Sequence, residues 1–175
     1  MLYLDLDGVF ADFDGHKDKL LSKWSGRSYH HLLKEDWSLE EHTRNAEVES
    51  VMGTPGFWET IPLCQNAYDL WDFCEPYHPI ILTAIPRVKE WIERITNEKN
   101  AWIDRYLGFK TQRIICHRNE KRNFAVSGTD NTTNILLDDT IQNVTEWVSE
   151  GGFGLLHTDI ENSIKKLSYI YREVI

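Results

Sequence analysis

The chain has 175 residues, of which 41% are hydrophobic and seven are tryptophan, a composition typical of one folded domain and not of a disordered protein. Its formal net charge of −9 weighs against binding to long polynucleotides, because contacts to phosphate backbones need a surplus of lysine and arginine. A small phosphorylated ligand in a local basic pocket remains compatible with that charge. No apolar stretch approaches the length of a membrane span, so no membrane partner is expected.

Apolar runs, taken in chain order, predict five buried strands, at 1–6, 78–83, 112–116, 134–138 and 152–157. Longer amphipathic segments between and after them predict helices at about 64–75, 87–107, 119–126, 140–149 and 159–172. Strands that alternate with helices indicate a parallel sheet with right-handed crossovers and helices on both faces, an α/β fold of the Rossmann-like class. Such sheets bind ligands at the carboxyl ends of their strands.

Residues 14–62 interrupt this alternation, because they contain no comparable strand pattern. Polar helical stretches occur there, with candidate contact positions at Leu20, Leu21, Trp24, Leu32, Leu33 and Trp37. We interpret the segment as a small helical cap above the strand ends. The predicted organisation is therefore an α/β core of residues 1–13 and 63–175 and a cap of residues 14–62.

The three cysteines of the chain are Cys64, Cys74 and Cys116, an odd number without metal-ligand spacing. This pattern fits reduced thiols in a cytoplasm. The first residues contain no basic segment and reach Asp5 at once, which is unlike a signal peptide. We therefore expect a cytoplasmic protein, and the sequence leaves its oligomeric state open.

The most informative stretch runs from Asp5 to Asp12 and reads Asp-Leu-Asp-Gly-Val-Phe-Ala-Asp. In an extended conformation Asp5 and Asp7 share a face, and two like charges so close are costly unless a cation or a proton lies between them. A hard divalent cation with oxygen ligands, usually magnesium in phosphate chemistry, removes that repulsion. An ordinary acidic turn after a strand explains the motif alone equally well.

Two further predicted strands also end in polar residues. Thr83 follows the apolar run 80–82, and the acidic pair Asp138 and Asp139 follows the run 135–137. Alone, such a threonine is more often a strand-end cap and such a pair more often a helix N-cap. Because the carboxyl ends of parallel strands meet at one edge, their joint occurrence favours one site with a phosphate contact and a metal shell.

These motifs together resemble the haloacid dehalogenase superfamily of phosphotransferases. The first motif of that superfamily is similar to residues 5–9, the second to an apolar strand ending at Thr83, and the fourth to the acids at 138–139. The resemblance implies a magnesium-dependent phosphatase in which Asp5 is the nucleophile and Asp7 the general acid and base. It covers nearly the whole chain, with the motifs in the right order.

The resemblance also implies the metal ligands. They would be the Asp5 carboxylate, the backbone carbonyl of Asp7, and either Asp138 or Asp139, between which the sequence does not decide. A Mg²⁺ ion held in this way cancels the repulsion between an anionic nucleophile and an anionic phosphate.

The third motif of the superfamily is a lysine that neutralises the transferred phosphate, and two lysines are candidates. Lys99 lies in a Glu-Lys-Asn-Ala-Trp segment that is similar to one in the superfamily's deoxyribonucleotidases. Lys121 lies just before the last acidic strand, where other members also have a lysine. Lys99 is favoured for the phosphate, and Lys121 is a rival or a second contact.

Further similarities point to the deoxyribonucleotidase branch. Asp12 and Phe13 follow the first motif as they do in that branch, and residues 55–62 are similar to its Gly-Phe-Phe-x-x-Leu-x-Pro segment. By this resemblance Phe13, with Phe57 or Trp58, would line a pocket in which an aromatic ring stacks on a nucleobase. The alternative for these rings is the aromatic core of a small cap.

By the same resemblance Asp12 and Ala84 would also lie in the substrate site. The chain departs from the branch at Ala84, where the branch more often has a serine that contacts the phosphate. The leading hypothesis is a phosphatase of nucleoside monophosphates, preferably deoxy forms. The second is a phosphatase of another small metabolite or of a nucleic-acid end, and the third is a catalytically inactive ligand-binding module that keeps the fold.

Overall fold

One five-stranded parallel sheet organises the part of the chain that this computed structural model describes, residues 1–25, 39–128 and 132–173. Side chains are described for the same residues except 24–25, 39–45 and 173. The strands, in spatial order, are β3 (Gln112–His117), β2 (Ile80–Ile85), β1 (Leu2–Leu4), β4 (Ile135–Asp138) and β5 (Phe153–Leu156). All neighbouring strands are parallel, so the predicted fold class is confirmed.

The helices in the described ranges are α1 (Phe13–Ser25), α2 (Leu39–Met52), α3 (Ala67–Cys74), α4 (Ile92–Tyr106), α5 (Ile141–Ser149) and α6 (Ile160–Glu173). The predicted helix at 119–126 is instead a 3₁₀ helix, Arg118–Phe124. It begins where the Glu120 carboxylate accepts the backbone N–H of His117 at 2.8 Å. No helix of the described residues combines the length and the apolar character that a membrane crossing requires.

The sheet is covered on both faces, as the alternation of its buried residues requires. Leu2 and Leu4 of β1 join a cluster that includes residues of α3, α4 and α6. Tyr3, between them, belongs to a second cluster with Trp147 of α5 and Phe124 of the 3₁₀ helix. Adjacent residues of β1 therefore point into different halves of the core, which is why its run of apolar residues has no polar member.

The predicted cap falls partly within the described residues. It contains α1 and α2, which contact each other, and its Leu21 and Val51 are buried in the same cluster as the strand residues Leu2 and Leu4. Leu20 is partly buried against that cluster. The side chain of Trp24 and the positions Leu32, Leu33 and Trp37 lie outside the described residues. The division into a core and a cap stays a prediction.

The strand order reverses at β1, which fixes the place of the site. The chain builds β2 and β3 on one side of β1, and β4 and β5 on the other. Pairing with β4 continues past the end of β1, because the N–H of Asp5 donates to the carbonyl of Leu137 at 2.9 Å. In open α/β sheets ligands bind at this switch point, outside the carboxyl ends of the strands.

Gly152, just before β5, lies against Trp147, which packs on the same face of the sheet as Leu136 of β4. A Cβ at Gly152 would lie 2.2 Å from Nε1 of Trp147, whose buried indole donates to the carbonyl of Asn134 at 3.2 Å. We expect Gly152→Ala to lower the free energy of unfolding by about 1–3 kcal/mol, because the ring has no room to move. A Cβ at Gly128 meets nothing within 4 Å, so Gly128→Ala is the control. Equal urea midpoints for the two variants would contradict this packing.

Candidate active site

The loop after β1 turns tightly around a carbonyl. The N–H groups of Phe10 and Ala11 both donate to the carbonyl of Leu6 at 2.9 Å, and Gly8 has a φ of 75°. A Cβ built on Gly8 would lie 2.0 Å from Oδ2 of Asp139. Glycine is therefore required at this position for two reasons: the backbone is left-handed, and the side chain of Asp139, which follows β4, approaches too closely for a Cβ.

Asp5 lies at the carboxyl end of β1 and is 5% exposed. Its Oδ1 accepts the N–H of Leu6 at 2.7 Å, and its Oδ2 lies 2.8 Å from the ammonium of Lys121. Burial raises the pKa of Asp5 well above its usual range, the charge of Lys121 lowers it, and the nearby Asp138 and Asp7 raise it further. Asp5 is thus a buried carboxyl group whose ionised form depends on cations beside it.

Asp138, the last residue of β4, is fully buried and has partners on both oxygens. Oδ1 accepts the N–H of Thr140 at 2.9 Å, and Oδ2 accepts from Lys121 at 2.8 Å. The side-chain amide of Asn143 donates to both oxygens, at 2.9 and 3.0 Å. Burial disfavours the charge of Lys121, but Asp5 and Asp138 together raise its pKa, so this lysine stays cationic between them.

Asp139 follows Asp138 and is exposed at the rim of the site. Oxygens of Asp5, Asp138 and Asp139 lie within 4.8 Å of one another, as the ligands of one cation would. Burial of its carboxyl group against the site raises the pKa of Asp139 to about 6, and the charge of Asp138 adds to the rise. Three carboxylates are therefore crowded at the ends of β1 and β4.

Asp7, Thr83 and Lys99 form a second group beside the first. Lys99 is 1% exposed, and its ammonium donates to Oδ2 of Asp7 and, at 2.9 Å, to Oγ1 of Thr83. The hydroxyl of Thr83 lies 3.5 Å from the same oxygen of Asp7. Oδ1 of Asp7 is buried and has no hydrogen-bond partner among the described residues. A buried oxygen without a partner is costly, so this atom is suited to meet a ligand.

Charge and donor type test whether these residues suit a magnesium ion. The first group is Asp5, Asp138, Asp139 and Lys121, and the second is Asp7, Thr83 and Lys99. Together they contain four carboxylates, those of Asp5, Asp7, Asp138 and Asp139. They contain two ammonium groups, those of Lys99 and Lys121. The formal sum is two negative charges, which one divalent cation balances, and all the donors are oxygens, as Mg²⁺ prefers. The residues present therefore fit the ion.

The aromatic residues predicted for a base pocket pack against one another. The ring of Phe13 stacks on that of Trp58, with 5.4 Å between centroids and 20° between planes, and meets the edge of Phe57. Phe57 and Trp58 are 2% and 3% exposed, whereas Phe13 is only half-buried. Of the three residues, Phe13 is therefore the most exposed, and the roles of all three in binding stay predictions.

Asp12 and Ala84 are the remaining residues predicted to bind substrate. Asp12 follows the loop after β1, and Ala84 follows Thr83. Asp12 is the N-cap of α1, since its Oδ1 accepts the N–H of Gly15 at 3.1 Å. Ala84 follows Thr83 in β2 and is half-buried, with no polar atom on its side chain. Their predicted roles in substrate binding remain untested.

The structure thus brings the predicted catalytic and metal residues to one edge of the sheet, whereas their roles remain predictions. It assigns the two lysines to different partners, a distinction that the sequence did not provide. Two buried residues were missed: Asn143, which orients Asp138, and Glu98, which precedes Lys99. The only available signal for Asn143 was its place five residues after a strand-end aspartate, within the first turn of α5.

Similar folds occur among solved structures, whereas no protein-family model and no curated protein matches the sequence. A hydrolase from Streptococcus pneumoniae TIGR4 is 11% identical with a TM-score of 0.56, over 95% of this chain and 97% of that one. The likeness establishes the fold. At this identity it shows nothing about activity.

Two further matches have TM-scores below 0.5 and add no weight. A protein named as a haloacid dehalogenase-like hydrolase from Burkholderia xenovorans LB400 is 12% identical, with a TM-score of 0.49 over 85% of this chain and 75% of that one. A protein named as a beta-phosphoglucomutase from Thermotoga maritima is 13% identical, with a TM-score of 0.46 over 99% of both chains.

Asn143 provides a test of the candidate metal site. We expect Asn143→Ala to weaken the binding of Mg²⁺ by about tenfold, because Asp138 loses the amide that orients it and with it the fixed position of Lys121 and of the adjacent Asp139. Isothermal titration of the metal-free protein measures the affinity. Gln142→Ala is the control, since Gln142 is exposed and its side chain donates to Glu146 instead of Asp138. An affinity unchanged in Asn143→Ala would show that this contact does not support a metal site.

Proposed function

We propose that the protein is a magnesium-dependent phosphomonoesterase of the haloacid dehalogenase type, with Asp5 as its nucleophile. The observation that carries the proposal is the pairing of each candidate catalytic acid with its own buried lysine. Asp5 pairs with Lys121 at 2.8 Å, and Asp7 pairs with Lys99. Two buried ammonium groups beside two strand-end carboxylates are suited to a doubly charged phosphate and are unusual in a site of purely structural function.

In the proposed first step, an oxygen of Asp5 attacks phosphorus. The bond from phosphorus to the ester oxygen breaks, and Asp7 gives its proton to that leaving oxygen. The product alcohol departs, and an aspartyl-phosphate remains on Asp5. In the second step Asp7 takes a proton from a water molecule that attacks phosphorus, which frees the Asp5 carboxylate and releases inorganic phosphate. Over the two steps Asp7 gives one proton and takes one, so the cycle leaves it unchanged.

The metal would be held by the Asp5 carboxylate, the backbone carbonyl of Asp7 and Asp139. We favour Asp139 over Asp138 as the ligand, because both oxygens of Asp138 already accept hydrogen bonds from Asn143 and one of them also binds Lys121. Bound Mg²⁺ would supply positive charge to the nucleophile and the phosphate. Asp138 then orients Lys121 instead of binding the ion.

The two lysines divide the remaining work in this proposal. Lys121 keeps the nucleophile ionised and oriented from the side of β4, since it contacts both Asp5 and Asp138. Lys99 lies beside Thr83, and the two would bind oxygens of the transferred phosphate. The hydroxyl of Thr83 donates one hydrogen bond, and the ammonium of Lys99 can donate three.

A nucleoside monophosphate, preferably a deoxy form, is the proposed substrate. Support comes from the half-buried ring of Phe13, which leaves the first-motif loop and begins α1. An aromatic residue next to the loop after β1 can stack on a base while the phosphate meets Lys99 and Thr83. The resemblance of residues 5–13 and 55–62 to deoxyribonucleotidases also supports a nucleotide substrate. A cytoplasmic location remains part of this proposal.

The test is release of inorganic phosphate from nucleoside 5′- and 3′-monophosphates, sugar phosphates and a 5′-phosphorylated oligonucleotide. We expect selective turnover of deoxynucleotides with Mg²⁺, and none with EDTA or in Asp5→Asn. Exposed Asp69 in α3 supplies the control Asp69→Asn, which should match the wild-type rate. Turnover restricted to another substrate class would contradict the nucleotide assignment. Full activity of Asp5→Asn would contradict the mechanism.

A further inference from the structure

One row of side chains on helix α4 binds the backbone of residues 53–61, the segment that precedes α3. Residues 94, 98, 102 and 105 follow one another at intervals of three or four and therefore line one side of the helix. Arg94 donates to the carbonyl of Gly53 at 2.8 Å, and Trp102 donates to that of Ile61 at 2.7 Å. Arg105 donates to the carbonyl of Glu59 at 3.2 Å. Both ends of the segment are therefore fixed to α4.

Glu98 holds the middle of the 53–61 segment and is 7% exposed. Its Oε1 accepts the N–H of Gly56 at 2.9 Å, and its Oε2 accepts the N–H of Trp58 at 3.1 Å. Arg94, one turn earlier, donates to Oε1 at 3.0 Å. A buried carboxylate is costly unless both oxygens have donors, and here a distant backbone segment supplies them.

Trp58 connects this anchor to the candidate active site. Its backbone is bound by Glu98, and its indole Nε1 donates to the carbonyl of Met52 at 3.1 Å. The ring held between these two bonds lies 4.4 Å from the ammonium of Lys99, a cation–π contact in a water-poor environment. Glu98 and Lys99 are adjacent in α4, yet they meet the same tryptophan from its backbone and from its ring.

Trp58 differs in kind from the other partners of Lys99. Asp7 and Thr83 contact the ammonium with oxygens that face the site, so a bound phosphate would compete with them for its protons. The indole N–H of Trp58 already donates to Met52, and the ring face beside Lys99 does not compete with a phosphate for the protons of the ammonium. Of these three contacts of the ammonium, the contact with the ring is therefore the one that a bound phosphate would leave in place.

We propose that Glu98 is a positioning residue that fixes Trp58 against Lys99 and thereby places the lysine for phosphate binding. The proposal has two steps. The first, the placement of Trp58 against Lys99 by Glu98, does not depend on the proposed function. The second, the placement of Lys99 for phosphate, rests on the proposed function, because it takes Lys99 to be a phosphate contact. The two steps are therefore tested by different measurements.

Glu98→Gln is the test of the first step. Glutamine presents an amide donor to one of the two backbone N–H groups, so one of these groups loses its acceptor. We expect the amide proton of Gly56 or Trp58 to exchange with solvent at least about tenfold faster, equivalent to the loss of one bond to a charged group. The ε-methylene protons of Lys99, shielded by the indole ring, should shift in the NMR spectrum towards those of exposed lysines.

Glu93→Gln is the matched control, because Glu93 lies in the same helix, five residues before Glu98, and is exposed. It should leave both the exchange rates and the Lys99 signal unchanged. An unchanged Lys99 signal in Glu98→Gln would overturn the proposal. It would also be overturned if the amides of β4 lost protection equally, since that result means that Glu98 stabilises the whole fold.

Inorganic phosphate is the probe for the second step. With Mg²⁺ present, we expect Glu98→Gln to bind phosphate at least about threefold more weakly than the wild type. Unchanged phosphate affinity together with a shifted Lys99 signal would overturn the second step alone. A wild-type protein that binds no phosphate would instead contradict the proposed function, and the exchange and NMR results would still decide the role of Glu98.

Trp58→Leu covers the case in which Glu98→Gln does not fold. Leucine keeps the backbone N–H that Glu98 accepts and removes the ring that contacts Lys99. We expect the Lys99 signal to lose its ring-current shift and phosphate to bind at least about threefold more weakly. Phosphate affinity equal to that of the wild type would contradict a positioning role for the tryptophan, and with it the role of Glu98.

Discussion

Repulsion between carboxylates at the ends of β1 and β4 is the constraint to which the rest of the site responds. Two like charges about 4 Å apart near a protein surface cost on the order of 4 kcal/mol, and the parallel pairing of these strands prevents their end residues from separating. Lys121 occupies the space between Asp5 and Asp138 and offsets part of this cost. Burial, together with the charge of Asp138, raises the pKa of Asp139 to about 6, and the remaining negative charge suits the site to a divalent cation.

The fold explains why these charges can be held so deep. Because β1 is central in the sheet, its carboxyl end is flanked on one side by β2 and on the other by β4. Each flanking strand brings one polar residue, Thr83 or Asp138, to the same edge. The 3₁₀ helix after β3 and the helix α4 after β2 then supply one lysine each, and both lysines are almost completely buried. Crossover connections thus bring residues from five parts of the chain to one place.

The sheet and the acidic residues could be predicted from sequence, because apolar strands ending in polar residues carry a local signal. The sequence could not assign the two lysines, since an isolated lysine looks like a solvated one until its burial is known. Glu98 was missed for a related reason: its acceptor role depends on backbone N–H groups about forty residues away, 40 for Trp58 and 42 for Gly56. The 3₁₀ helix of residues 118–124 likewise begins at a side-chain hydrogen bond, from the N–H of His117 to Glu120, that the apolar pattern does not show.

The central claim is that Asp5 attacks phosphorus, and the most direct measurement is to trap the product of that attack. The protein is mixed with Mg²⁺ and a phosphomonoester that it hydrolyses, and the reaction is quenched in acid. Reduction with borohydride then converts an aspartyl-phosphate to homoserine. Peptide mass spectrometry then locates the modified residue. The account predicts homoserine at position 5, dependent on both substrate and Mg²⁺. Modification at Asp7 or Asp139, or active turnover with no modified residue, would contradict it.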